Sequence, residues 1–170
     1  MKKLLLLALS FVLTGCHGYP EAITPVEGFE IERYLGRWYE IARLDHSFER
    51  GLEKVSADYT LRDDGGVDVI NRGFSMKKNT WKEAVGKAYF VKSATEGYLK
   101  VSFFGPFYSS YVIFELDTDD YQYAFVSGFN ESYLWLLSRT PVVSDELKTE
   151  FISMARERGF STDEIIWVAQ

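Results

Sequence analysis

Gly36-Arg37-Trp38 opens an alternating run that continues through Tyr39-Glu40-Ile41-Ala42, and a short amphipathic turn, Phe29 to Leu35, leads into it. Gly36 has no Cβ to clash, so the chain bends sharply there. Trp38 is large enough to plug the floor of a closed β-barrel and keep water from whatever sits above it. Taken alone, these residues fit an ordinary core strand equally well. The rest of the chain decides between the two.

From residue 36 onward, runs rich in aromatic and β-branched residues follow one another at hairpin spacing. They cover 36–45, 53–62, 66–74, 82–92, 97–104, 109–117, 121–129 and 132–139. Turn chemistry separates them, as in Asp63-Asp64-Gly65-Gly66, Thr95-Glu96-Gly97 and Asp117-Thr118-Asp119-Asp120. Eight short strands in a meander predict an all-β fold, an antiparallel up-and-down barrel. An open sandwich is the alternative, but closure removes exposed edges without Greek-key connections. One helix interrupts the pattern. Ser144 suits its N-cap, Asp145 and Glu146 complement the helix dipole, and Gly159 ends it. Leu147, Phe151, Ile152, Met154 and Ala155 form a single apolar stripe, which predicts a helix lying against the outside of the barrel. Ile165-Ile166-Trp167-Val168 reads as a short last strand.

The N-terminus reads as a leader. Lys2 and Lys3 precede Leu4 to Leu13, an apolar run too short to span a bilayer. Leu13-Thr14-Gly15-Cys16 resembles the bacterial lipobox. That resemblance implies cleavage before Cys16 and acylation of Cys16, which would anchor the protein in a membrane. It also implies sorting to the outer membrane, because His17 stands where an aspartate would retain the protein in the inner one. Three acyl chains would make the attachment effectively permanent. Cys16 is the only cysteine of the chain, so no internal disulfide is available. The expected organisation is a signal over 1–15, an acylated N-terminus and tether over 16–28, and one domain over 29–170. Loss of Lys2 and Lys3 with the leader takes the formal net charge from −6 to −8. Such an acidic chain has no electrostatic footprint for nucleic acid.

The strand order and three motifs together resemble the lipocalins. Gly36-Arg37-Trp38 matches the first motif; Asp117-Thr118-Asp119 leading into Tyr123-Ala124 matches the second; Leu137-Ser138-Arg139 matches the third. The resemblance implies that Arg139 packs across Trp38 as a cation–π lid at the closed end. Arg33 through Arg43, Phe48-Glu49-Arg50-Gly51-Leu52-Glu53 and Val101-Ser102-Phe103-Phe104-Gly105-Pro106-Phe107 are similar to the bacterial outer-membrane lipocalins in particular. Those are relatives of apolipoprotein D and of plant temperature-induced lipocalins.

An eight-stranded barrel holds side chains or one small ligand. Period two, with Trp38 setting the parity of its strand, predicts Glu40, Ala42 and Leu44 as inward. The more apolar choice elsewhere adds Tyr59, Val69, Asn71, Ala88, Phe90, Val101, Phe103, Tyr111, Ile113, Val126, Tyr133 and Trp135. Many inward positions, such as Ala57, Ala84, Gly86 and Ala124, are too small to fill a barrel, so a ligand cavity is expected. Glu40 inward needs a partner or a proton; a bulge that turned it outward is the alternative. The expected mouth carries Lys77, Lys78 and Trp81 in one loop and Phe107 and Tyr108 in another. Lys77 and Lys78 are placed to meet an anionic head group.

Catalysis needs a nucleophile, an acid–base pair or a metal. With only His17 and His46, and with Cys16 acylated, neither a triad nor a metal site is expected, and no cofactor. The predicted role is binding of a hydrophobic small molecule, a fatty acid or (lyso)phospholipid. An envelope scaffold is the runner-up, and a lipocalin-fold enzyme is the remote third.

Overall fold

The computed structural model describes residues 18–170, so the leader, Cys16 and His17 lie outside the described residues. Eight antiparallel strands pair in chain order: β1 (Gly36–Arg43), β2 (Leu52–Leu61), β3 (Val67–Ser75), β4 (Thr80–Phe90), β5 (Tyr98–Phe104), β6 (Phe107–Leu116), β7 (Tyr123–Ser127) and β8 (Leu134–Ser138). β1 bonds to both β2 and β8, which closes the sheet into a barrel. The sandwich alternative is excluded.

β1 does not pair with β2 along its full length. Gly36 to Tyr39 face β2, while Ala42 and Arg43 instead meet a ninth strand, β9 (Ile166–Trp167). The last residues thus fill the seam where β1 and β2 part. The Val168 amide donates to the Ile41 carbonyl (2.9 Å) and the Lys54 amide to the Ala169 carbonyl (2.7 Å). Gln170 Nε2 donates to the carbonyls of both Glu40 and Val55.

Two apolar layers result. The interior cluster includes Trp38, Ala57, Val69, Leu99, Ile113, Val126 and Leu137. The second lies between the barrel wall and α2 (Asp145–Glu157), with Phe125, Leu136, Phe151 and Ala155 fully buried. The Ser144 hydroxyl accepts the Leu147 amide (3.2 Å) as the N-cap of α2. Phe151 meets Phe125 edge to face at 5.0 Å, which fixes the helix against the wall.

The closed end is built around Trp38. The one-turn helix α1 (Ile31–Tyr34) crosses below the barrel, and Tyr34 stacks on Trp38 at 4.6 Å. Trp38 Nε1 donates to the Tyr34 carbonyl (2.8 Å). The Arg139 guanidinium sits 4.0 Å over the indole and donates to the carbonyls of Arg37 (2.9 Å) and Arg33 (2.7 Å). Gly36 enters this corner at φ +88, a conformation that side chains rarely adopt.

Residues 18–28, expected as a tether, are laid against the barrel. Val26 donates to the Ile113 carbonyl and accepts from Gly97, each at 2.9 Å. Ile23 is buried, and Tyr19 meets Tyr98 edge to face at 5.0 Å. Prolines at 20 and 25 remove periodicity from this segment but not its capacity to add backbone bonds to the β4–β5 turn.

Candidate functional site: an open cavity in the barrel

Above Trp38 and Tyr34 the interior opens into a cavity of about 740 Å³, within the range of small-molecule sites. Of the residues expected inside, Glu40, Tyr59, Val69, Asn71, Ala88, Val101, Phe103, Tyr111, Tyr133 and Trp135 line it. Phe90, Ile113 and Val126 face the same interior but are packed into its core and contribute no cavity wall. Small residues make the space. At Gly86 an added Cβ would meet the Phe103 ring at 2.7 Å, so the absence of a side chain there lets the ring come close to the backbone.

Ala42 and Leu44 are corrections. A β-bulge shifts the register between Glu40 and Ala42, with Glu40 opposite Leu137 and Ala42 opposite Leu136. Ile41 is the extra residue, and parity inverts beyond it. Ala42 and Leu44 therefore pack in the layer beneath α2, and Arg43 turns inward. Glu40, which precedes the bulge, keeps its inward position and finds a partner in Arg43.

The rim needs correction too. Phe107 and Tyr108 line the opening, but Lys77, Lys78 and Trp81 do not. β4 begins at Thr80, and its inward residues are Lys82, Ala84, Gly86 and Ala88, so Trp81 points outward and meets Phe74 at 5.5 Å. Lys77 and Lys78 occupy the exposed β3–β4 turn. Lys82 is the lysine on the cavity wall.

Two polar clusters punctuate the apolar wall. Near the floor, Tyr111 Oη lies 2.7 Å from Tyr34 Oη and 2.8 Å from Tyr59 Oη, a hydroxyl chain that burial keeps un-ionised. Near the mouth, Arg43 Nη1 donates to Glu40 Oε1 (2.6 Å), and Nη2 donates to the carbonyls of Glu49 (3.1 Å) and Leu52 (3.2 Å). Arg43 thereby pins the β1–β2 loop to the wall. Trp135 Nε1 donates to Glu49 Oε2 (3.1 Å). Burial raises the pKa of both carboxyls, and the charge of Glu49 raises that of Glu40 further while Arg43 opposes both shifts. Burial thus disfavours the charged form of both carboxyls, and the Arg43 guanidinium offsets part of that cost.

His46 stacks on Phe48 at 4.1 Å and lies 5.1 Å from the Trp135 ring. Its Nε2 is 3.1 Å from Glu49 Oε2 but lacks hydrogen-bond geometry, so both ring nitrogens are buried without such a bond among the described residues. Burial and the Arg43 charge lower its pKa to about 4, so the ring is neutral at pH 7. The sequence pattern missed Arg43, His46, Glu49 and Lys82 as site residues. For Arg43 the available signal was an opposite charge three residues after Glu40, which only a bulge brings to the same face.

No group of three or more His, Cys, Asp or Glu side chains among the described residues is arranged to hold a metal ion. A closed antiparallel barrel, plugged at one end and open to an apolar cavity at the other, is the architecture of a small-molecule-binding protein.

Residues 29–170 match the family model described as Lipocalin-like domain. The chain is similar to outer membrane lipoprotein Blc of Vibrio cholerae, 60% identical over 170 residues that cover 100% of this chain and 99% of that protein. It is 50% identical to outer membrane lipoprotein Blc of Escherichia coli, over 95% of this chain and 92% of that one. Temperature-induced lipocalin-1 of Arabidopsis thaliana is 35% identical over 82% of this chain and 78% of its own. Among solved structures, insecticyanin from the tobacco hornworm Manduca sexta superimposes with a TM-score of 0.70 at 21% identity, over 90% of this chain and 87% of its own. The chain belongs to the lipocalin family.

Proposed function

We propose that this protein is an outer-membrane lipoprotein, anchored through acylated Cys16, that stores or carries a fatty acid or lysophospholipid in the bacterial envelope. Its similarity to the outer membrane lipoproteins of Vibrio and Escherichia supports the location. The observation that carries the binding role is the open cavity, apolar over most of its wall and sealed below by Trp38. An acyl chain of about sixteen carbons gains at most roughly 12 kcal/mol on burial, at ~0.8 kcal/mol per CH₂. Association costs reduce this to roughly micromolar affinity or better.

The role is binding rather than catalysis. Glu40 and Glu49 are committed to Arg43 and Trp135, His46 is stacked on Phe48, and Cys16 is taken by the anchor. Lys82 supplies the cation for an anionic head group that Lys77 and Lys78 were expected to supply. In a titration followed by tryptophan fluorescence, Trp135→Ala should weaken a fatty acid and a neutral analogue of equal length alike. Lys82→Glu should weaken the fatty acid selectively, by within about tenfold because the pair is solvent-screened. A wild-type barrel that fails to saturate with any single-chain lipid would overturn the proposal.

A further inference from the structure

The cavity floor carries a polar cluster that a plain acyl chain cannot engage. Tyr34 of α1, Tyr59 of β2 and Tyr111 of β6 come from three separate elements, yet all three line the cavity and their hydroxyls converge. Tyr111 Oη stands in the middle, 2.7 Å from Tyr34 Oη and 2.8 Å from Tyr59 Oη. Around them the wall is apolar, with Phe29, Ile31, Leu99 and Leu137 on the same space.

Proton counting sets what this cluster can do. Each phenol brings one O–H donor, and burial keeps all three un-ionised. A line of three hydroxyls has two hydrogen bonds, so it uses two of its three protons. Whichever way the bonds point, one O–H is left over, on Tyr34, Tyr59 or Tyr111. Among the described residues the three hydroxyls have no hydrogen-bond partner beyond one another. A buried donor without an acceptor is costly, and an acceptor oxygen brought into the cavity removes that cost. The Arg139 guanidinium, 4.0 Å over Trp38, acts on Tyr34 and Tyr59 from the closed end. Glu40 and Glu49 oppose it at Tyr59, which leaves the Tyr34 side the more favourable for a partial negative charge.

We propose that the floor tyrosines form a second polar subsite, which takes an oxygen at the buried end of the ligand's chain, a terminal hydroxyl or a carbonyl next to the terminus. The inference rests on the binding reading above, in which the head group stays with Lys82. A methyl terminus leaves the spare donor unanswered. A terminal hydroxyl accepts the spare proton and returns its own to a free lone pair of a phenol oxygen. The barrel therefore favours single-chain lipids that carry oxygen at both ends.

The test titrates delipidated full-length protein with saturated fatty acids of twelve, fourteen and sixteen carbons and with their ω-hydroxy counterparts. An apolar floor would weaken each hydroxy acid by about tenfold, the cost of burying an unpaired hydroxyl. At one length or more, the hydroxy acid should instead bind as tightly as the plain acid, or more tightly. Tyr34→Phe with Tyr59→Phe and Tyr111→Phe should restore the penalty of about tenfold. A second readout needs no variant and so does not depend on the folding of an altered floor. A keto acid of the preferred length, with carbon-13 at the carbonyl next to its terminus, should show that stretch at lower frequency than in hexane when bound to wild type. A hydroxy acid that is weaker at every length, or a carbonyl that keeps its hexane frequency, overturns the subsite and leaves the binding role intact. A triple variant that folds and keeps the wild-type preference assigns it to other groups and overturns the subsite too. A wild-type barrel that saturates with neither kind of acid overturns the binding reading, and the subsite with it.

Discussion

Trp38 is contacted from two sides by groups that need it. Tyr34 stacks on one side and Arg139 covers the ring, while the indole nitrogen is bound to the Tyr34 carbonyl. Trp38→Ala removes the plug and the surface on which both partners rest, so it should cost about 3–5 kcal/mol. Denaturant unfolding measures this, and an unchanged midpoint would contradict the floor-plug role. His46 makes a signed prediction. Its ring is held neutral in the fold, with a pKa of about 4 against 6.5 in the unfolded chain. Its contribution to stability is therefore complete above pH 6.5 and is lost as pH falls toward 4. Glu40 and Glu49, whose pKa values are raised, act oppositely and favour the fold as pH falls. Comparing wild type with His46→Gln isolates the histidine. The variant's melting temperature should fall less than wild type's between pH 6.5 and 4. A parallel fall in both would show that His46 protonates freely in the fold.

At the scale of elements, the barrel, its closing helix and the last strand are legible in the sequence. Each strand has period-two patterning and each turn has its own chemistry. What the pattern cannot carry is a bulge. One extra residue at Ile41 leaves composition untouched, yet it moves Ala42 and Leu44 outward and Arg43 inward. The wall of β4 illustrates a second limit. An early start at Thr80 makes Trp81 an outward strand residue instead of a loop residue, because strand ends are set by pairing with Ser75 and Phe74 across the hairpin. The packing of residues 18–28 was hidden because their bonds go to distant backbone, at Ile113 and Gly97. The helix contributes stability without touching the cavity, so the two functions separate. Phe151→Ala should destabilise by about 3–5 kcal/mol, as deletion of a buried aromatic does. Ligand affinity, measured well below the variant's melting temperature, should change less than twofold. A larger loss would mean that the α2 layer shapes the cavity.

The whole molecule is organised along one axis: an end plugged by Trp38, an apolar interior, and an open mouth with Phe107 and Tyr108 on its rim. The motifs at Gly36-Arg37-Trp38 and Leu137-Ser138-Arg139 make the closed end readable from residues alone, whereas the mouth depends on loop placement and emerges only in the fold. The central claim is that the interior holds a lipid. Ala84 lines the cavity wall, so Ala84→Trp fills space without removing any contact of the closed end. The most direct measurement is the native mass spectrum of protein isolated from envelopes, in wild-type and Ala84→Trp forms. The wild-type barrel should carry, beyond its covalent acyl groups, the added mass of one single-chain lipid that solvent extraction releases, and the filled barrel should carry none. A wild-type spectrum that shows only the covalent mass, or a filled barrel that retains the same lipid, would contradict the assignment of the cavity as the binding site.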